Sequence, residues 1–265
     1  MKSEKDKPLS GKTVVITGTS DDAAQWFIDA GADMISFPVL HIEPCGDFSE
    51  FDRTLAAEPD YLVFTSANAV DVFYERISSA GFKLQSGKTL IAAVGARTAA
   101  KCSGYGIRTD IIPENFSAAG LLEELKKRDM KNRTVLIPCS EIARDELADG
   151  LSALGAFVNK ISIYTVSLPR QEQTCAMADY LRKNKANLFV FASPSAYRNF
   201  LTILNITAPA EYFRDSCIAA IGPVTRREIE SSGAVVSIMP DSYTMQALAE
   251  ETVEFFLQTK ANNKE

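Results

Sequence analysis

Apolar residues in this chain gather into short unbroken runs, separated by longer stretches in which apolar positions recur every three or four residues. The runs lie at residues 13–17, 33–42, 61–65, 89–94, 108–112, 134–138, 157–167, 187–192, 216–221 and 235–239. A strand with one face in water alternates, whereas a continuous apolar run predicts a strand covered on both faces. Residues 118–128 are typical of the intervening stretches. There Leu121, Leu122 and Leu125 make an apolar face, and Glu123 with Lys127 and Glu124 with Arg128 are spaced to pair at i,i+4. Strand and helix signals alternate from end to end, which predicts an α/β chain with parallel, doubly wound sheets of about five strands each.

The pattern also repeats. Residues 61–124 placed without gaps on residues 188–251 give 16 identities in 64 pairs, against roughly 6% expected from ordinary composition. The shared residues sit where a backbone is controlled. Phe64-Thr65-Ser66 answers Phe191-Ala192-Ser193, and Ile91-Ala92-Ala93-Val94-Gly95 with Thr98 answers Ile218-Ala219-Ala220-Ile221-Gly222 with Thr225. Pro113, Ser117 and Leu121 answer Pro240, Thr244 and Leu248. Two similar folded units are expected, with matched loops facing one another across a cleft. The second strand of each unit, at 33–42 and 157–167, is long enough to leave one sheet and enter another. If both cross, residues 1–39 join 169–265 and residues 40–168 form the other domain; a plain break near residues 129–133 is the alternative on spacing alone.

Composition narrows the function classes. With 265 residues, 46% hydrophobic and 23% charged, the chain can build two cores. No apolar run approaches the roughly 18 residues of a membrane span, and the polar residues 1–7 lead into a strand, not a secretory segment, so a cytoplasmic location is expected. The five cysteines are odd in number and free of CxxC spacing, which indicates neither a disulfide framework nor a zinc site. A net charge of −6 with dispersed basic residues argues against nucleic acid as partner.

In open α/β sheets the chemistry lies on the loops after the strands, beside helix N-termini. Ser66 and Ser193 each follow a strand and open a helix, with Pro194 at the first helical position. Gly95 and Gly222 do the same, followed in the second copy by Pro223, and Ser117 and Thr244 are set to cap the last helix of each unit. Such N-termini attract anions through unpaired N–H groups and the helix dipole, each contributing about 0.3–1 kcal/mol when exposed. Six around one cleft suit a ligand with several carboxylates or phosphates, although any one cap needs no ligand to account for it. Arg97, close to Gly95, and Arg144, expected within a helix that opens near Ser140, are further candidates to meet anionic groups. Gly87-Lys88-Thr89 lacks the upstream glycine of a phosphate loop, and Gly104-Tyr105-Gly106 falls between helix and strand, the wrong order for a dinucleotide fingerprint. His41 is the only histidine, which leaves a histidine-based triad or metal site unsupported.

At these residues the chain resembles the uroporphyrinogen-III synthase family. The segments that carry the likeness occur in the family's order: Phe64-Thr65-Ser66-Ala67-Asn68-Ala69-Val70, Val94-Gly95-Ala96-Arg97-Thr98-Ala99, Pro138-Cys139 with Arg144, Ile163-Tyr164-Thr165-Val166, Phe191-Ala192-Ser193-Pro194-Ser195, Ala220-Ile221-Gly222-Pro223-Val224-Thr225 and Thr244-Met245-Gln246-Ala247-Leu248. The resemblance implies two flavodoxin- or Rossmann-like domains joined by a two-stranded β hinge, which favours 1–39 with 169–265 and 40–168. It also implies closure of the linear tetrapyrrole hydroxymethylbilane into uroporphyrinogen III, with inversion of ring D through a spiro intermediate, without cofactor or metal. Tyr164 is then the candidate to assist departure of the substrate hydroxyl. The implied substrate contacts are Thr65, Ser66, Gly95, Thr98, Ser117, Arg144, Ser193, Ser195, Gly222 and Thr244. A monomer receiving its substrate from hydroxymethylbilane synthase is expected, with no membrane or nucleic-acid partner. Many relatives carry an arginine in the first loop, where this chain reads Thr17-Gly18-Thr19-Ser20. The second class of reading is a two-domain hinged cytoplasmic binding protein for a polycarboxylate metabolite; a nucleotide-sugar transferase is a weaker third.

Overall fold

The computed structural model describes residues 7–18, 21–82, 84 and 87–262, so residues 1–6, on which the reading of the leading segment rests, lie outside the described residues. In chain order the elements are β1 Thr13–Ile16, α1 Asp21–Asp29, β2 Asp33–Ser36, β3 His41–Pro44, α2 Ser49–Ala56, β4 Tyr61–Phe64, α3 Ala67–Ala80, β5 Leu90–Ala93, α4 Ala96–Gly104, α5 Ala118–Lys126, β6 Thr134–Ser140, α6 Glu146–Ala153, β7 Phe157–Ser167, α7 Gln171–Lys183, β8 Leu188–Phe191, α8 Pro194–Leu204, α9 Pro209–Tyr212, β9 Cys217–Ala220, α10 Pro223–Ser231 and α11 Met245–Asn262. They form two compact units: a terminal unit, Met1–His41 with Leu168–Glu265, and a central unit, Ile42–Ser167.

The terminal unit holds a four-stranded sheet in the order β2-β1-β8-β9, the central unit a five-stranded sheet in the order β3-β7-β6-β4-β5. The pairs β1 with β2 and β8, β8 with β9, β4 with β5 and β6, and β6 with β7 are all parallel. The apolar runs are continuous because both faces of each sheet are covered. In β4, Leu62 and Phe64 enter one core and Tyr61 and Val63 the other; in β8, Phe189 and Phe191 face one core and Leu188 and Val190 the opposite one. Each such buried Leu, Phe or Val side chain stabilises its unit by about 1.5–3 kcal/mol.

Three of the expected strands differ. Residues 33–42 do not make one strand but two, β2 and β3. Phe37 N–H gives the last rung, to Ile16 O at 2.9 Å, and the strand ends ahead of Pro38, a residue confined to sheet margins. Residues 108–112 and 235–239 each contribute only one bridge, Ile111 to Ala92 and Ile238 to Ala219. Pro113 and Pro240, two residues on, remove the next donors. The terminal sheet therefore has four strands, not about five. On α5 the ion pairs form at i,i+3, Lys126 with Glu123 and Lys127 with Glu124, and not at the expected i,i+4 spacing, because the helix ends at Lys126.

Candidate functional site

Because β5, β4, β6 and β7 run parallel, the loops after them open at the same edge of the central sheet. Ser66 follows β4 there as the N-cap of α3, its Oγ accepting from Ala69 N–H at 3.1 Å. The same oxygen lies 2.9 Å from the Tyr164 hydroxyl, and either group can be the donor. Tyr164 reaches this point through a register shift in β6 against β7: Cys139 pairs with Ser162, and Ser140 then pairs with Tyr164. Only 4% of Tyr164 is exposed. Burial pushes its phenol pKa up, while the Ser66 and Ser140 hydroxyls draw it the other way. A buried, neutral phenol is a hydrogen-bond donor throughout the physiological range.

Ser117, which precedes α5, accepts from Gly120 N–H at 3.0 Å, and Thr65 is half-buried beside Ser66. Thr98 sits in the first turn of α4 with 5% of its surface exposed. Arg144 does not lie within a helix as expected. β6 runs on to Ser140 and α6 begins only at Glu146, which leaves Arg144 exposed in the connecting loop.

The terminal unit repeats this edge with different side chains. Ser193 caps α8, accepting from Ala196 N–H at 3.1 Å, and its Oγ lies 3.1 Å from Ser195 Oγ. Thr244 precedes α11 and accepts from Ala247 N–H at 3.1 Å. Thr17 is buried with its hydroxyl donating to Val190 O at 3.1 Å, whereas Thr19 and Ser20 of the first loop lie outside the described residues.

Gly95 and Gly222 stand apart from the four hydroxyl caps, since no side chain caps α4 or α10. Both glycines are extended, so their backbone angles place no demand on residue type. The demand is space. A Cβ on Gly95 would sit 3.2 Å from Phe116 Cβ, and one on Gly222 would sit 3.2 Å from Tyr243 Cγ. Phe116 and Tyr243 are equivalent in the internal repeat and remain largely exposed, yet neither was singled out among the sequence candidates. The signal available was an aromatic residue immediately before Ser117 and before Thr244.

The structure brings together Ser66 with Tyr164, and Ser193 with Ser195; Thr65 adjoins Ser66, and the remaining candidates stand at other strand–helix junctions of their own units. His41 is half-buried at the start of β3. Among the described residues no three His, Cys, Asp or Glu side chains form a metal-binding group, and no helix is long and apolar enough to cross a membrane.

A family model described as uroporphyrinogen-III synthase HemD matches residues 21–250. The chain is 29% identical over 252 residues to a uroporphyrinogen-III synthase of Synechococcus elongatus, covering 92% of this chain and 95% of that protein. It is 31% identical over 232 residues to a putative uroporphyrinogen-III synthase of Methanothermobacter thermautotrophicus, covering 86% and 90%. Among solved structures, a mutant uroporphyrinogen III synthase of Thermus thermophilus superposes with a TM-score of 0.60 at 17% identity, over 94% of this chain and 100% of that one. The Helicobacter pylori uroporphyrinogen-III synthetase gives 0.59 at 16%, over 92% and 99%. At these identities the structural likeness establishes a shared fold.

Proposed function

The chain belongs to the uroporphyrinogen-III synthase family, matched over residues 21–250, and from that premise we propose that it closes hydroxymethylbilane into uroporphyrinogen III in tetrapyrrole biosynthesis, acting as a cyclising hydro-lyase. The observation that carries the residue-level reading is the 2.9 Å contact between the Tyr164 hydroxyl and Ser66 Oγ. Ser66 Oγ already accepts from Ala69 N–H, so its own hydrogen is free to be given to the phenol oxygen. The Tyr164 hydrogen is then directed to the hydroxyl on ring A of the substrate. That hydroxyl leaves as water, and the ring A methylene becomes an electrophile. Attack by the substituted carbon of ring D forms a spiro intermediate; its fragmentation and reclosure invert ring D, and the proton lost as the pyrrole is restored replaces the one that Tyr164 gave up. Much of the protein's task is to hold ring D for this attack and exclude simple closure.

Helix N-terminal N–H groups can bind the substrate's eight carboxylates, so few basic side chains are required. First-turn N–H groups of α4 and α10, together with Arg144, Thr98, Ser117, Ser195 and Thr244, are the proposed partners, and charge-assisted hydrogen bonds of this kind contribute about 1.5–3 kcal/mol each. A net charge of −6 then poses no obstacle. Spontaneous closure of free hydroxymethylbilane supports direct hand-over from hydroxymethylbilane synthase, and a monomer in the cytoplasm completes the proposal.

The test generates hydroxymethylbilane in place, adds the protein, oxidises the products and separates the isomers. A predominantly type III product is expected. Type I alone, the product of uncatalysed closure, overturns the reading and favours a binding protein for a polycarboxylate.

A further inference from the structure

Phe116 and Tyr243 are 60% and 59% exposed. Each directly precedes the hydroxyl residue that opens α5 or α11, and each lies against the glycine that opens α4 or α10. One exposed aromatic is ordinary on a protein surface. Two at equivalent positions are a different matter in units that keep only 16 of 64 aligned residues, where exposed Arg97 answers Val224 and exposed Asn115 answers Ser242, although Glu114 and Asp241 both remain acidic. Core packing does not account for the retention, since neither ring is covered. The shared property is an open aromatic face held beside a glycine, where a Cβ would press on the aromatic side chain at 3.2 Å.

We propose that Phe116 and Tyr243, one in each unit, contact the faces of the substrate's pyrrole rings and so position the linear tetrapyrrole before closure. The inference rests on the proposed function and adds residues to it. A flat, electron-rich ring is the chemistry that an open aromatic face recognises, by offset stacking or edge-to-face contact. The hydroxyl of Tyr243 has no part in this role, because its counterpart is a phenylalanine.

The test compares Phe116→Leu, Tyr243→Leu and Tyr243→Phe in the full chain. Four quantities are measured: KM for hydroxymethylbilane, the type III fraction, the Kd for uroporphyrin III by fluorescence titration, and the thermal unfolding temperature. Each leucine variant is expected to raise KM and Kd about three- to tenfold, the range set by aromatic contact energies, with unfolding unchanged. Tyr243→Phe is expected to match the parent protein in all four. Unchanged KM and Kd in both leucine variants of a protein that makes type III product overturns this inference alone. A lower unfolding temperature without a change in Kd overturns it as well, by assigning the rings to packing. An effect from only one ring overturns the paired role, and type I product from the parent protein removes the functional reading and this inference together.

Discussion

Ser66 caps α3 in the central unit and Ser193 caps α8 in the terminal unit, each accepting an N–H from three residues on at 3.1 Å. The second contact of each hydroxyl differs: Ser66 meets the buried phenol of Tyr164 at 2.9 Å, and Ser193 meets Ser195 at 3.1 Å. The cause lies in the neighbouring strand. In the central sheet β7 runs from Phe157 to Ser167 beside β6, far enough to deliver Tyr164 to the loop edge. In the terminal sheet the corresponding strand β2 stops at Ser36, ahead of Pro38. The duplication thus preserved backbone donors in both halves, while strand length confined the phenol to one of them.

That asymmetry can be broken. Tyr164→Phe is expected to lower kcat about 10²-fold, the lower end for a proton donor acting on a leaving group, with KM little changed and more type I product. Ser195→Ala, which removes the second contact of Ser193 in the other unit, is expected to leave kcat at saturating substrate within about threefold of the parent and to raise KM about tenfold, because only a proposed carboxylate contact is lost. Equal losses from the two would remove the distinction between the units; chromatographic separation of the isomers at saturating substrate reads both.

Ser66→Ala and Ser193→Ala sharpen the same comparison. Both delete an N-cap and are expected to lower stability by about 1 kcal/mol, measured by denaturant unfolding. Only Ser66→Ala is also expected to lower kcat, because it alone releases the phenol.

The smallest effect concerns pH. Tyr164 has its pKa raised above the ordinary phenol value, chiefly by burial. Its contribution to stability is fully present below the unfolded value of about 10 and is lost as pH rises through the folded value. Between pH 6 and 9 the phenol stays protonated in both states, so Tyr164→Phe is expected to leave the slope of stability against pH unchanged there and to flatten it only in more alkaline solution. A change of slope near neutrality would show that the group titrates in the native state and does not act as a neutral donor.

The parallel strands β1, β4, β6, β8 and β9 were legible in the sequence because burial on both faces writes itself as a continuous apolar run. The runs at 108–112 and 235–239 misled for the complementary reason. Val235 is 74% exposed whereas Val236 and Ile238 are buried, so that segment lies along the margin of the sheet and is not enclosed by it. Arg144 was placed in a helix because nothing local marks how far β6 runs beyond Pro138. Phe116 and Tyr243 escaped notice because exposed aromatics carry no periodic signal; only the alignment of one half on the other isolates them.

By itself the sequence determined the alternation of strand and helix, the internal repeat, the capping hydroxyls and the family, since each depends on residues close along the chain or on their order. Tertiary structure decided that Tyr164 and Ser66, 98 residues apart, share a hydrogen bond. That contact depends on the parallel registers of β6 against β4 and β7 and on the shift at Cys139 and Ser140. Strand register is fixed by long-range hydrogen bonds and two-sided packing, and a one-residue slip would turn the phenol to the opposite face of the sheet.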